Sequence, residues 1–175
     1  MRDAIANFLD RSPMRIPCER HAIEDNFEFY LRTRPFVMLA HRDPSIRMWA
    51  SERTISVLRA CSVEVKGRFS RKDWSAAVAE ALGAHQPQRQ SNNAYRHALE
   101  LFEESHRVLL FAECEERPAS LIDMCCDLYN QIENGVGLDS GHGIVLIGHP
   151  TPFLKHIEKR NRSGYLRRFS IIEGE

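Results

Sequence analysis

The sequence predicts a three-layer α/β fold: a mostly parallel sheet of about five strands with helices on both faces. The first observation behind this is a set of short, continuous apolar runs: Phe36-Val37-Met38-Leu39-Ala40, Val108-Leu109-Leu110-Phe111 and Ile144-Val145-Leu146-Ile147. Runs that do not alternate with polar residues suit strands buried on both faces of a parallel sheet. The second is that segments with apolar residues at helical spacing lie between these runs, an order that favours right-handed parallel crossovers. A length of 175 residues suits one domain with a real core and is short for two. The expected organisation is an N-terminal arm over 1–19 and a single α/β domain over 20–175.

Each element has its own local reason. Residues 3–9 read as a short helix, after which Pro13 and Pro17 interrupt regular structure. Residues 19–32 bring Ala22, Ile23, Phe27 and Tyr30 or Leu31 to one helical face. The run beginning at Phe36 is a strand; the loop His41-Arg42-Asp43-Pro44-Ser45-Ile46-Arg47-Met48 follows, then a helix over 49–60 carrying Trp49, Ala50, Ile55, Val57 and Leu58. Val63 and Val65 alternate with polar neighbours, which predicts a second strand over 62–67. Ser70 is a good N-cap for a helix over 72–82 that gathers Trp74, Ala77, Val78, Ala81 and Leu82 and stops at Gly83. Residues 84–93 are polar and aperiodic, hence a loop.

A helix over 94–105, with Tyr95, Ala98, Leu99 and Phe102 together, delivers the chain to the central strand at Val108. That strand ends in acid, with Glu113, Glu115 and Glu116 following it, and the carboxyl edge of an open α/β sheet is where ligands bind. Leu121, Ile122, Met124, Cys125, Leu128, Tyr129 and Ile132 then form a broad apolar helical face. After a turn-rich loop, the strand at Ile144 ends in Gly148-His149-Pro150; Phe153, Leu154 and Ile157 suggest a short helix, and a final strand is expected over 169–172.

Charge is balanced, with 24 basic and 24 acidic residues, so global charge predicts no polyanionic partner. Its distribution is uneven. Residues 100–127 are acidic, whereas Lys155, Lys159, Arg160, Arg162, Arg167 and Arg168 concentrate near the end, a pattern suited to local docking. The five cysteines show no C-x-x-C spacing, which indicates neither a disulfide framework nor a structural zinc site and fits a reducing cytoplasm. No apolar run approaches the roughly 18 residues of a membrane span, and the first residues carry acids where a signal peptide has its apolar core. A soluble protein with no membrane partner is expected.

Strand, loop and helix at 36–60 make the unit that carries a P-loop when its loop has the right residues. Laying G-x-x-x-x-G-K-[ST] on 41–48 puts His41 and Ile46 at the glycines, Arg47 at the lysine and Met48 at the hydroxyl residue. Ile46 restricts the curl that glycine allows, Pro44 removes an amide donor and Met48 cannot ligate magnesium. Arg47 retains a guanidinium able to meet phosphate. His142 and His149 flank one strand of six residues, so at about 3.3 Å per residue they are too far apart to share a metal, and no metal site is expected. Cys125 faces the core as a small hydrophobe.

The order of Val108-Leu109-Leu110-Phe111-Ala112-Glu113, an amphipathic helix, Gly143-Ile144-Val145-Leu146-Ile147-Gly148-His149-Pro150 and a basic segment ending in Gly164-Tyr165-Leu166-Arg167-Arg168-Phe169 resembles the AAA+ ATPases. The likeness is to the transposition-helper and secretion-type members with ORC-like cores. It implies a P-loop NTPase fold in which the three motif-bearing strands are parallel neighbours with His41, Glu113 and His149 at one sheet edge. It also implies Walker B roles that this chain keeps only in part. Ala112 stands where the magnesium-orienting Asp belongs, and Glu113 stands at the water-polarising position. His149 falls in the sensor region, and Arg167 or Arg168 at the arginine finger.

With Walker A and Walker B both degenerate, and the chain ending where the helical lid would begin, the expectation is a noncatalytic AAA+-like interaction protein without a required cofactor. Its expected partners are a second copy, a related ATPase or a recombinase, with DNA as a competing partner through Lys155, Lys159, Arg160 and Arg162. An ATPase that binds ATP and magnesium through an aberrant P-loop is the alternative. An unrelated α/β enzyme comes last, because no nucleophile, base and orienting group can be assembled.

Overall fold

The computed structural model describes residues 16–17, 20–34, 36–64, 70–84, 91–112, 121, 124–125, 127–128, 142–150 and 170–174. Its strands are β1 (Ile16–Pro17), β2 (Phe36–His41), β3 (Cys61–Ser62), β4 (Val108–Ala112), β5 (Gly143–Gly148) and β6 (Ser170–Gly174). They form one sheet in the order β1-β6-β2-β5-β4-β3, and all of its pairings are parallel. Four helices accompany them among the described residues: α1 (Arg20–Thr33), α2 (Pro44–Leu58), α3 (Arg71–Ala81) and α4 (Ser91–Ser105). Leu121, Met124, Cys125 and Leu128 are helical as well.

The strands alternate their side chains between two cores, as the two-residue period of a strand requires. Phe36 and Met38 of β2, Leu109 and Phe111 of β4, and Ile144 and Leu146 of β5 meet Trp74 and Val78 of α3, Ala98 and Phe102 of α4, and Leu121, Met124, Cys125 and Leu128. The alternate residues Val37, Leu39, Val108, Leu110, Val145 and Ile147 turn to the other face, against Ile23, Phe27, Tyr30 and Leu31 of α1 and Ile46 and Ala50 of α2. Helices therefore cover both faces, which explains the apolar runs: a strand in the middle layer has no solvent side. Burying each such Leu, Ile, Val or Phe side chain contributes about 1.5–3 kcal/mol.

β2, β5 and β4 are parallel neighbours, with Ala40 beside Gly148 and Ala112 beside Ile147. The carboxyl ends of all three thus lie at one edge. Several boundaries differ from the sequence reading: α4 begins at Ser91, inside the stretch 84–93 read as a loop, and the last strand is Ser170–Gly174 rather than 169–172. Of the strand expected over 62–67, the described residues show β3 at Cys61–Ser62 and the Val63 N–H donating to the Leu110 carbonyl at 2.8 Å, while 65–67 lie outside the described residues. Ile16 and Pro17, read as part of an arm, pair with Ile172 and Glu173 at the sheet border, where a proline's missing N–H costs least. Helix α2 begins at Pro44, five residues before the expected start. The short helix over 3–9, the stretch Phe153 to Ile157 and the full span of the helix after Pro118 lie outside the described residues.

Two helix starts are fixed by side chains. Ser70 caps α3 as expected; its hydroxyl accepts the Asp73 N–H while the Asp73 carboxylate accepts the Ser70 N–H at 2.9 Å, a reciprocal capping box. Asp43 caps α2, with Pro44 in the first turn, where its fixed φ fits and no N–H is needed.

Candidate functional site

The chain leaves β2, crosses β5 and β4 to reach β3 at the far border, and later returns from β5 across β2 to β6. The crevice outside the carboxyl ends of β2 and β5 is therefore where connections diverge in opposite directions, the place where open α/β sheets take ligands. His41 ends β2 and His149 directly follows β5, so by register they stand on adjacent strands one position beyond the Ala40 and Gly148 pair. Strands in such a pair run about 4.8 Å apart.

The turn between β2 and α2 contains only Arg42 and Asp43. A phosphate-wrapping loop needs several consecutive residues outside helix and strand so that their amides can converge on the anion. Here Ser45, Ile46, Arg47 and Met48 already belong to α2.

The amides and carbonyls of this turn are taken up by its own side chains. The buried His41 ring accepts the Asp43 N–H at Nδ1, at 2.9 Å, which puts the proton of the neutral imidazole on Nε2. The Asp43 carboxylate accepts both the Ser45 N–H, at 2.8 Å, and the Ser45 hydroxyl, at 2.7 Å. Arg47 is buried, with 8 % of its surface exposed, and its Nη1 donates to the carbonyls of His41 at 2.9 Å and Arg42 at 2.8 Å. One guanidinium thus ties the strand end to the first turn of the helix, using donors that on a phosphate-binding arginine would face the ligand. Arg42 itself is exposed.

Beside this turn, Ile23 and Glu24 of α1 and Ser45, Ile46 and Trp49 of α2 line a cleft of about 130 Å³. Small-molecule sites run to about 300–1,000 Å³. The cleft is too small to enclose a nucleotide and carries one carboxylate, Glu24, of the wrong sign for phosphate.

No protein-family model matches this chain, and no curated protein matches it either. Of the residues singled out in the sequence, the structure brings His41, Arg47 and His149 to the same edge. Ala112 is the half-buried last residue of β4. Glu113, Arg167 and Arg168 lie outside the described residues, as do the basic Lys155, Lys159, Arg160 and Arg162. Among the described residues no group of three His, Cys, Asp or Glu side chains is placed to hold a metal ion. His142 and His149 lie before and after β5, at its opposite ends. No described helix is long and apolar enough to cross a membrane.

Sequence reasoning missed the part played by Asp43. Its signal was present: Asp followed by Pro at the head of an amphipathic run is a helix start. It also missed two features on the other side of the sheet. Tyr95 of α4 donates to the Asp127 carboxylate while the Arg71 guanidinium lies 3.7 Å above its ring, which ties α3 and α4 to the helical residues around Leu128. Burial, then the Asp127 carboxylate, pushes the Tyr95 phenol up to about 12. The second feature is a histidine pair at the amino edge of the sheet.

Proposed function

We propose that this chain is a noncatalytic interaction domain on an AAA+-like scaffold, which assembles with a second copy, a related ATPase or a recombinase and does not hydrolyse ATP. The observation that carries this reading is the closed turn after β2. Two residues separate strand from helix, and Arg47 spends two of its donors on the carbonyls of His41 and Arg42. The side-by-side placement of β2, β5 and β4 supports the AAA+-like part, since the resemblance requires those three strands to be parallel neighbours. It is a fold-level argument and carries the architecture further than the activity.

An ATPase with an aberrant P-loop would have to open this turn. Arg47 would leave both carbonyls, the Asp43 cap would break and the first turn of α2 would unwind before three or four amides became available to a phosphate. Ala112 offers magnesium no ligand. For an interaction domain the same features are no obstacle, and the uneven charge of the sequence supplies the docking chemistry: Glu113, Glu115 and Glu116 on one segment, Arg160, Arg162, Arg167 and Arg168 on another. Exposed ion pairs contribute only about 0–1 kcal/mol each, so the contact is transient and weakens with salt.

Sedimentation velocity of the wild type and of an Arg167→Glu/Arg168→Glu variant, at low and high salt and with or without duplex DNA, tests the proposal. Salt-sensitive self-association lost in the variant supports protein docking through the basic segment. A DNA-dependent shift lost in the same variant assigns that segment to nucleic acid instead. A wild type that stays monomeric at all concentrations and ignores DNA removes both.

A further inference from the structure

His106 and His142 lie at the amino edge of the sheet, on the opposite side of the molecule from the β2 turn. His106 follows α4 with φ +48°, a left-handed conformation that turns the chain sharply into β4. His142 directly precedes β5. Their imidazoles stack, with centroids 4.6 Å apart and planes only 13° from parallel, and the Phe102 ring packs on His142 from 5.3 Å. His142 is 7 % exposed, and its Nε2 is enclosed without a hydrogen-bond partner. The backbone carbonyls of Phe102 and Glu103 lie close enough to the ring to favour a proton on it, whereas Nε2 has no partner. With no acceptor at Nε2, the neutral ring that leaves this nitrogen bare is the form the pocket is shaped to hold.

We infer that the stacked His106 and His142 form an acid-sensitive latch, which holds the start of β5 against the carboxyl end of α4 while His142 is neutral and releases it when Nε2 takes up a proton. Protonation would create a buried N–H with no acceptor, on a ring that already faces a second imidazole.

The surrounding charges pull both ways. On α4, the Glu103 carboxylate and the terminal carbonyls of Phe102 and Glu103 favour the cation. Burial opposes it most, and His106 next. Arg107, at the start of β4, adds positive charge nearby but is directed at the Cys61 sulfur, 3.2 Å from its Nη1. Arg34 precedes β2, the other neighbour of β5, at this same edge. The balance lowers the His142 pKa from its ordinary 6.5. A metal site is a poorer reading of the pair, because the two ring planes are nearly parallel and Nε2 is enclosed.

Hydrogen exchange of the full chain from pH 5 to pH 7.5, corrected for intrinsic rates and read on peptides covering 136–147, tests the latch. As pH falls from the ordinary 6.5 of the opened state to the lower folded-state pKa of His142, the opening equilibrium is expected to grow by up to about tenfold per pH unit, and below the folded-state pKa it levels off. His142→Phe keeps an aromatic ring on Phe102 and cannot titrate, so its corrected exchange should be flat with pH. His106→Ala removes a neighbour that holds the His142 pKa down, so it should move the His142 titration to higher pH, towards 6.5, and weaken the pH dependence of exchange. NMR titration of the His142 imidazole supplies a readout that does not depend on either variant folding: a midpoint below 6.5, at the pH where the exchange profile levels off, supports the latch. An ordinary midpoint, a flat wild-type exchange profile or the same pH dependence in His142→Phe overturns it.

Discussion

Replacing Arg47 by Ala separates a structural guanidinium from a phosphate ligand. The side chain is buried and donates to two carbonyls from one nitrogen, at 2.9 and 2.8 Å. Hydrogen bonds to a charged group are worth about 1.5–3 kcal/mol each, and removing the donor also leaves the His41 carbonyl without this partner in a buried setting. Against this, the variant no longer buries a charge, which returns part of the loss. The net expectation is destabilisation by about 2–4 kcal/mol. With a urea dependence of about 2 kcal/mol per molar, the unfolding midpoint should fall by about 1–2 M. Arg42→Ala, at the exposed neighbour, is the control and should stay within about 0.5 kcal/mol of the wild type. Urea titrations followed by tryptophan fluorescence measure both. An Arg47→Ala protein within about 1 kcal/mol of the wild type would refute the structural role, because a guanidinium reserved for a ligand contributes little to the empty fold.

Two further outcomes follow from the same reasoning. Ser70→Ala removes one arm of the α3 capping box and should cost about 1 kcal/mol, measurable in the same urea titration. Tyr95 should ionise well above the ordinary 10.0 in an ultraviolet titration, near 12. Because its folded pKa is raised above 10.0, stability is fully present below pH 10 and lost as pH rises towards 12, and Asp127→Asn should bring the titration earlier.

The layers of the fold were legible because the central strands have no polar face. Val108 to Phe111 and Ile144 to Ile147 could be read as strands from continuity alone, and the structure extends each by only one or two residues. Helix α3 was legible at its start because Ser70 and Asp73 carry the cap in sequence. β1 was not: two residues, one of them proline, give no period to detect. The start of α2 was misread for a different reason. A P-loop template placed over 41–48 treated Asp43 and Pro44 as loop, although together they are a helix N-terminus, and so hid how short the turn is. The job of Arg47 could not have been read from sequence, since its acceptors are backbone carbonyls that come within reach only once the turn is closed. The His106 and His142 stack depends on strand order, which places the residue before β5 against the end of α4 across a gap of 36 positions that no periodicity spans.

The most direct test of the closed β2 turn is calorimetric titration of the full chain with ATP and with ADP, with and without magnesium. No saturable heat at micromolar nucleotide and no phosphate release above background are expected. Saturable binding that Arg47→Ala abolishes, in a variant shown by circular dichroism to remain folded, would contradict it: the guanidinium would then have left the His41 and Arg42 carbonyls for a phosphate.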